Sequence, residues 1–146
     1  MIQRIQSIFL LLASACAFLL FVMPFAATTE PIANTYFADD SLYSIEDDVP
    51  LTIFFVVAGA LALISIFLFS NRKTQLILTR VAIVANVIGL IYAFIIFYNY
   101  SDELVNVEPD DQFGIFLPFL YLVFAFLAIR FINKDAKTVR SMDRLR

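Results

Sequence analysis

The chain has 146 residues, of which 62% are hydrophobic, and its mean hydropathy is +0.87. Soluble domains average about 45–50% apolar residues, so this composition excludes a soluble fold of the same length and indicates a membrane protein. The formal net charge of −3 combines 10 basic and 13 acidic residues that are segregated along the chain, and a single Cys excludes an intramolecular disulfide.

The first predicted element is a transmembrane helix over about residues 5–27. The uncharged run Ile5–Thr29 exceeds the roughly 20 residues that a helix needs to cross a bilayer. Its apolar core is too long for a signal peptide and has no small-x-small cleavage pattern, so we expect an uncleaved anchor. Pro24 is expected to kink or end the helix near the far interface. Cys16 is expected to act as a small hydrophobe.

The following loop, residues 28–49, is acidic and contains no Lys or Arg. The β-forming segments Thr35–Phe37 and Leu42–Ile45 flank the turn-forming Asp39–Ser41, which predicts a small β-hairpin. The acidic residues lack the alternating oxygen ligands and glycine of a calcium loop, so no metal site is predicted.

Two apolar runs joined by a short basic turn then predict a transmembrane helical hairpin. Its helices are expected over about residues 50–70 and 75–100, with Pro50 suited to the first turn of the earlier one. The turn contains Arg72 and Lys73. Arg80 is expected to extend back to the interface from the first turns of the later helix.

Small residues at spacings of three and four define one face of the third predicted helix. Such a face lets helix backbones approach closely in lipid, and an Asn within it can hydrogen-bond across the contact. A substrate or ion site at Asn86 is the alternative, but a single amide without a charged neighbour favours packing. The predicted helix-packing residues are Ala82, Ala85, Asn86, Gly89 and Ala93.

A second acidic loop, residues 101–112, precedes a fourth helix predicted over about residues 113–133. Pro118 is expected to bend this helix or to mark its true start. Basic residues at spacings of three and four in the tail, residues 134–146, predict a basic amphipathic extension. We expect either a charge cluster that sets topology and is held by anionic lipid, or a docking element for a partner. The predicted contacts are Lys137, Arg140, Arg144 and Arg146.

The charge distribution predicts the orientation of the four spans. All ten basic residues fall on one side of the predicted topology, and the two loops on the other side contain none. Because Lys and Arg near helix ends stay in the cytoplasm, both termini are expected to be cytoplasmic and both acidic loops extracytoplasmic.

Short signatures at the two ends of the chain carry a family resemblance. Residues Met1–Ser7 read MIQRIQS, and residues Val139–Arg146 read VRSMDRLR. These ends resemble those of an uncharacterised family of bacterial four-helix inner-membrane proteins of similar length. Ala136 departs from the family pattern, where Glu is expected. The resemblance implies the same topology and location and adds no activity.

The sequence thus predicts an all-α membrane protein, a single domain over residues 1–146 with four transmembrane helices in an antiparallel bundle. The absence of His and of known catalytic motifs predicts no catalytic, cofactor-binding or metal-binding residues. The expected function is a non-catalytic small subunit or accessory factor of a larger membrane assembly. An oligomeric transporter or channel is the alternative, and an enzyme acting on lipid is a third reading. The expected partners are membrane lipid and a membrane or cytoplasmic protein, with no nucleic acid.

Overall fold

The computed structural model describes residues 2–31, 40–100 and 109–143. The described chain consists mainly of α-helices, which confirms the predicted all-α class. A short 3-10 helix, Phe113–Phe116, precedes the last α-helix. The helices are α1 (Ile2–Leu19), α2 (Val49–Phe67), α3 (Arg72–Tyr100) and α4 (Leu117–Asp143), and the strands are β1 (Ala26–Ala27), β2 (Leu42–Tyr43) and β3 (Asp110–Asp111).

Three segments are long and apolar enough to cross a membrane: Val49–Phe67, Arg72–Asn99 and Phe113–Thr138. Large apolar side chains are exposed on all four helices, as on Val57 of α2 and Phe126 of α4. A soluble protein rarely exposes so continuous an apolar surface, whereas lipid solvates it without cost. The chain is therefore a multi-pass membrane protein.

Helix α1 is shorter than the helix predicted over residues 5–27. Its apolar part, Ile5–Leu19, is about 22 Å long at 1.5 Å per residue, against about 30 Å of hydrocarbon. Beyond Leu19, the backbone N–H groups of Phe21, Val22 and Met23 bond to carbonyls of the last helical turn, and the chain then leaves the helix. The residue before a proline disfavours helical backbone, so a regular helix cannot continue up to Pro24.

Side-chain caps and prolines define the starts of the later helices. Asp48 caps α2 by accepting from the Leu51 N–H at 3.2 Å, and Pro50 occupies the first turn. Helix α3 begins at Arg72, three residues before the predicted start, because Asn71 accepts from the Thr74 N–H at 3.3 Å. Helix α4 becomes regular only at Leu117, with Pro118 directly after, where its missing N–H costs nothing.

A three-stranded sheet joins the segments that precede or follow three of the helices. The strand order is β2-β1-β3, and both pairings are antiparallel. Leu42–Tyr43 forms a strand, as predicted, and its described partner is Ala26–Ala27. The other predicted arm, Thr35–Phe37, lies outside the described residues. The local β-propensity of Leu42 and Tyr43 was sufficient to predict a strand, whereas their partner was set by tertiary contacts.

Gly114, in the 3-10 helix before α4, lies against the backbone that follows α1. Its N–H donates to the Pro24 carbonyl at 3.1 Å. A Cβ at this position would overlap the carbonyl oxygens of Pro24 and Met23. Only glycine fits there, because the obstacle is backbone rather than a side chain that could rotate away.

Hydrogen bonds and an ion pair define the two ends of the helical bundle. At the sheet end, which carries β1 to β3, the Tyr43 hydroxyl donates to the Ala93 carbonyl at 2.9 Å. At the opposite end, which we call the ion-pair end, Arg72 pairs with Asp135. Helix α1 packs on α2 and α4, α2 packs on α3, and the contact between α3 and α4 is the smallest of these four.

Candidate functional site

The small-residue face of α3 lies inside the bundle. Helix α2 covers part of it, since a Cβ on Gly89 would lie 3.1 Å from the Phe54 Cβ and 3.3 Å from the Phe55 ring. Helix backbones therefore approach closely at this point. The five residues predicted from the sequence to pack there are all buried: Ala82, Ala85, Asn86, Gly89 and Ala93.

Asn86 is fully buried on this face, but neither of its amide atoms finds a partner among the described residues. The hydrogen bond that we expected across the helix contact is thus not formed. Two other buried amides share this property: both amide atoms of Gln6 and the Oε1 of Gln75 have no described partner. Buried polar groups are normally satisfied, so these three amides are the least expected feature of the core.

Near the ion-pair end, each helix contributes one buried polar residue. The Gln75 amide donates to the Ser65 carbonyl at 2.9 Å and so joins α3 to α2. Gln6 lies one turn before Phe9, whose ring stacks on that of Phe131 at 5.4 Å, so α1 and α4 meet at a similar level. We call this set the polar layer, and its members are Gln6, Ser65, Gln75 and Asp135.

The ion pair between Arg72 and Asp135 joins the start of α3 to the last third of α4. The exposed fractions of the two side chains are 18% and 10%, so little water screens the pair. From the sequence, Arg72 was predicted to lie in the turn before α3, and no partner was predicted for it. An acidic residue between Lys134 and Lys137, in a tail that is otherwise mostly basic, was the available signal for this contact.

Helix α4 continues without a break into the predicted basic tail. It ends at Asp143, eight residues past the ion pair, which is about 12 Å of helix. Of the four predicted contact residues, Lys137 is exposed and Arg140 lies on the helix. Arg144 and Arg146 lie outside the described residues.

The interior of the bundle is joined by hydroxyl-to-carbonyl hydrogen bonds. The Tyr121 hydroxyl on α4 donates to the Ala58 carbonyl at 2.9 Å, and the Ser14 hydroxyl on α1 donates to the Gly59 carbonyl at 3.1 Å. Cys16 is buried nearby. Among residues 2–31, 40–100 and 109–143, no three His, Cys, Asp or Glu side chains come together in a way that could hold a metal ion.

Comparison with known proteins gives a single family. The family model described as "Domain of unknown function (DUF4293)" matches residues 2–145, which confirms the predicted resemblance to an uncharacterised family. No curated protein and no solved structure matches the chain.

Proposed function

We propose that this chain, which belongs to the DUF4293 family of unknown function, is a non-catalytic inner-membrane protein that serves as a small subunit or accessory factor of a larger membrane assembly. The observation that carries the proposal is the continuation of α4 past the ion pair. A helix that continues past such a contact with exposed charged residues on it offers a surface to another molecule. The first exposed basic residue past the ion pair is Lys137.

The charges at the two ends support a cytoplasmic location for the ion-pair end. Its described basic residues include Arg72, Lys73, Lys134 and Lys137. The sheet end carries acidic residues, among them Asp48 and the two residues of β3, and no Lys or Arg among those described. Because Lys and Arg are retained on the cytoplasmic side, both termini of the chain are proposed to be cytoplasmic.

Reporter fusions test this orientation. A fusion after Arg146 and one at Lys73 are expected to report the cytoplasm, and one at Asp40 the extracytoplasmic side. An extracytoplasmic signal from the fusion after Arg146 would contradict the four-span topology.

The contact that α4 makes past the ion pair can be tested by truncation. Deleting residues 137–146 leaves Arg72 and Asp135 in place, so the truncated protein is expected to insert and fold but to lose its stoichiometric partner on purification in mild detergent. The matched control is R80Q/R130Q, which removes two exposed basic residues from the same side and leaves the extension whole. If the truncated chain and the control both retain every partner, α4 does not dock one.

A second substitution separates a protein partner from a lipid surface. Lipid mainly responds to charge, whereas a carboxylate or phosphate held by two guanidinium donors distinguishes Arg from Lys. The variant R140K/R144K is therefore expected to lose the partner while keeping its membrane position. If binding is unchanged in this variant, charge alone holds the tail.

The alternative proposal, an oligomeric transporter or channel, rests on buried amide atoms without a described partner, which are both amide atoms of Gln6 and Asn86 and the Oε1 of Gln75. Ions and polar solutes need polar groups at membrane depth, and of these three residues Asn86 lies in the middle part of α3. Measurement of ion and solute flux in proteoliposomes tests it. A flux abolished by N86L would favour the channel, and its absence would favour the accessory role.

A further inference from the structure

An open cleft of about 540 Å³ lies between the start of α3 and the later part of α4, at the ion-pair end. It shares Lys137 with the surface proposed to dock a partner, whereas its other lining residues play no part in that role. Three of its lining residues are basic, one is an amide, and two are apolar: Arg72, Lys73, Lys137, Asn133, Leu76 and Ala136.

One of the positive charges in the cleft, that of Arg72, is held in place by a partly buried ion pair, so the cleft does not depend on exposed side chains alone. The ion pair with Asp135 holds Arg72 in position at the wall. A guanidinium carries five N–H donors, more than one carboxylate accepts, so Arg72 retains donors for a further anion. With Lys73 and Lys137 exposed on either side, three positive charges face one negative charge.

The depth of the cleft corresponds to the headgroup layer of a membrane. On α3, the exposed residues Arg80 and Tyr98 are 18 residues apart, or about 27 Å, which is close to the thickness of the hydrocarbon. Arg72 lies about 12 Å beyond Arg80 along the helix. On α4, Asn133 and Lys137 follow Arg130 by about 5 and 10 Å. The side chains of the cleft are thus at the level where lipid phosphates are found.

The lining residues also indicate which phosphate compound fits. A free phosphate ion would gain nothing from Leu76 and Ala136. The glycerol and first acyl carbons of a lipid would lie against them. The lipid amine of a zwitterionic headgroup would be repelled by Lys73 and Lys137, whereas an anionic headgroup would not.

We propose that this cleft binds the phosphate headgroup of one anionic phospholipid, held by Arg72, Lys73 and Lys137 with the Asn133 amide as a further donor. Basic pockets between transmembrane helices on the cytoplasmic side are suited to such headgroups. The lipid would link α3 to α4, the pair of neighbouring helices with the smallest direct contact. The inference requires the chain to span a membrane and is independent of any protein partner.

The binding can be measured on the full-length protein in detergent. Cys16 is buried and is the only cysteine, so a thiol-reactive fluorophore reports unfolding as it becomes exposed. Phosphatidylglycerol is titrated at constant ionic strength, with phosphatidylethanolamine and inorganic phosphate as parallel arms. We expect a saturable rise in melting temperature with phosphatidylglycerol only.

The cleft variant K73Q/K137Q changes two exposed side chains and leaves the ion pair intact. Each lysine removed is expected to weaken binding of phosphatidylglycerol by about fivefold, and the pair by about 25-fold, from the usual contribution of a basic residue near a lipid surface. The control R80Q/R130Q removes the same charge outside the cleft and is expected to bind with at most a small loss.

Three results would overturn the proposal. An equal loss in both variants would mean that the lipid responds to overall charge and not to a site. An effect of inorganic phosphate equal to that of phosphatidylglycerol would assign the cleft to a soluble anion. A wild-type protein that melts at the same temperature with and without phosphatidylglycerol would show that no lipid site exists.

Discussion

Replacing Gly114 by alanine tests the contact between α1 and the start of α4. The new Cβ would overlap the Pro24 and Met23 carbonyl oxygens, so the 3-10 turn must move away from the end of α1. That movement breaks the hydrogen bond from Gly114 to Pro24, and it strains the one from Gln112 to Phe25. At about 1 kcal/mol for the broken bond and about 1–3 kcal/mol for the overpacking, the expected loss of unfolding free energy is about 3 kcal/mol.

The matched control is G89A on α3. Its added Cβ would meet the Phe54 Cβ at 3.1 Å, so α2 and α3 must separate by a few tenths of an ångström. Alanine also gains about 1 kcal/mol over glycine inside a helix, which offsets this strain. The net effect on stability is therefore expected to stay within about 1 kcal/mol.

Thermal unfolding in detergent, followed through the exposure of Cys16, distinguishes the two variants. At about 3 °C per kcal/mol for a chain of this size, G114A is expected to melt about 10 °C below the wild type. The control G89A is expected to melt close to it. If G114A melts at the same temperature as the wild type or as G89A, the 3-10 turn does not approach the Pro24 carbonyl as closely as described.

Three further substitutions can be followed with the same assay. D135N leaves Arg72 without its carboxylate. The expected loss of unfolding free energy is more than the roughly 1 kcal/mol of an exposed pair and less than the roughly 3–5 kcal/mol of a fully buried one. An unchanged melting temperature would mean that the pair is solvated. N86L removes an amide that has no described partner, so it is expected to raise the melting temperature, and a fall would reveal a missed hydrogen bond. Asp47 is half-buried, and this burial raises the pKa of its carboxyl despite the hydrogen bond from the Ser44 N–H. The folded state therefore holds the proton more tightly than the unfolded state, and the bound proton stabilises the fold. This contribution to stability is fully present below the ordinary aspartate pKa and is lost as the pH rises through the raised pKa of the folded state. D47N cannot ionise and is expected to lose that part of the pH dependence of the melting temperature, and an unchanged pH profile would refute the assignment.

The membrane-spanning helices could be read from the sequence because lipid imposes a length and a composition on each of them separately. The uncharged runs before Arg72 and after Arg80 are sufficient to identify α2 and α3, whatever they pack against. The small residues of α3 could be assigned to one face for the same reason, since helical spacing is a local property.

The features that the sequence did not reveal depend on pairs of residues that are distant in the chain. The strand that follows α1 pairs with strands that contain Tyr43 and Asp111, and nothing near Leu19 encodes these partners. The pairing of Arg72 with Asp135 likewise depends on how α3 and α4 are placed. The candidate lipid cleft follows from this same placement of α3 and α4. Its lining residues and their combined charge could therefore not be predicted from local sequence patterns.

The order of the strands has a consequence for the synthesis of the chain. Strand β1 is made first and lies at the centre of the sheet, but β2 follows only after the acidic loop and β3 only shortly before α4. Until both neighbours have left the ribosome, the backbone of Ala26–Ala27 lacks its final hydrogen bonds, which is costly near a membrane. The first segment to be inserted is therefore among the last to reach its final structure, and a nascent chain arrested before β3 is expected to hold α1 without its closing contacts.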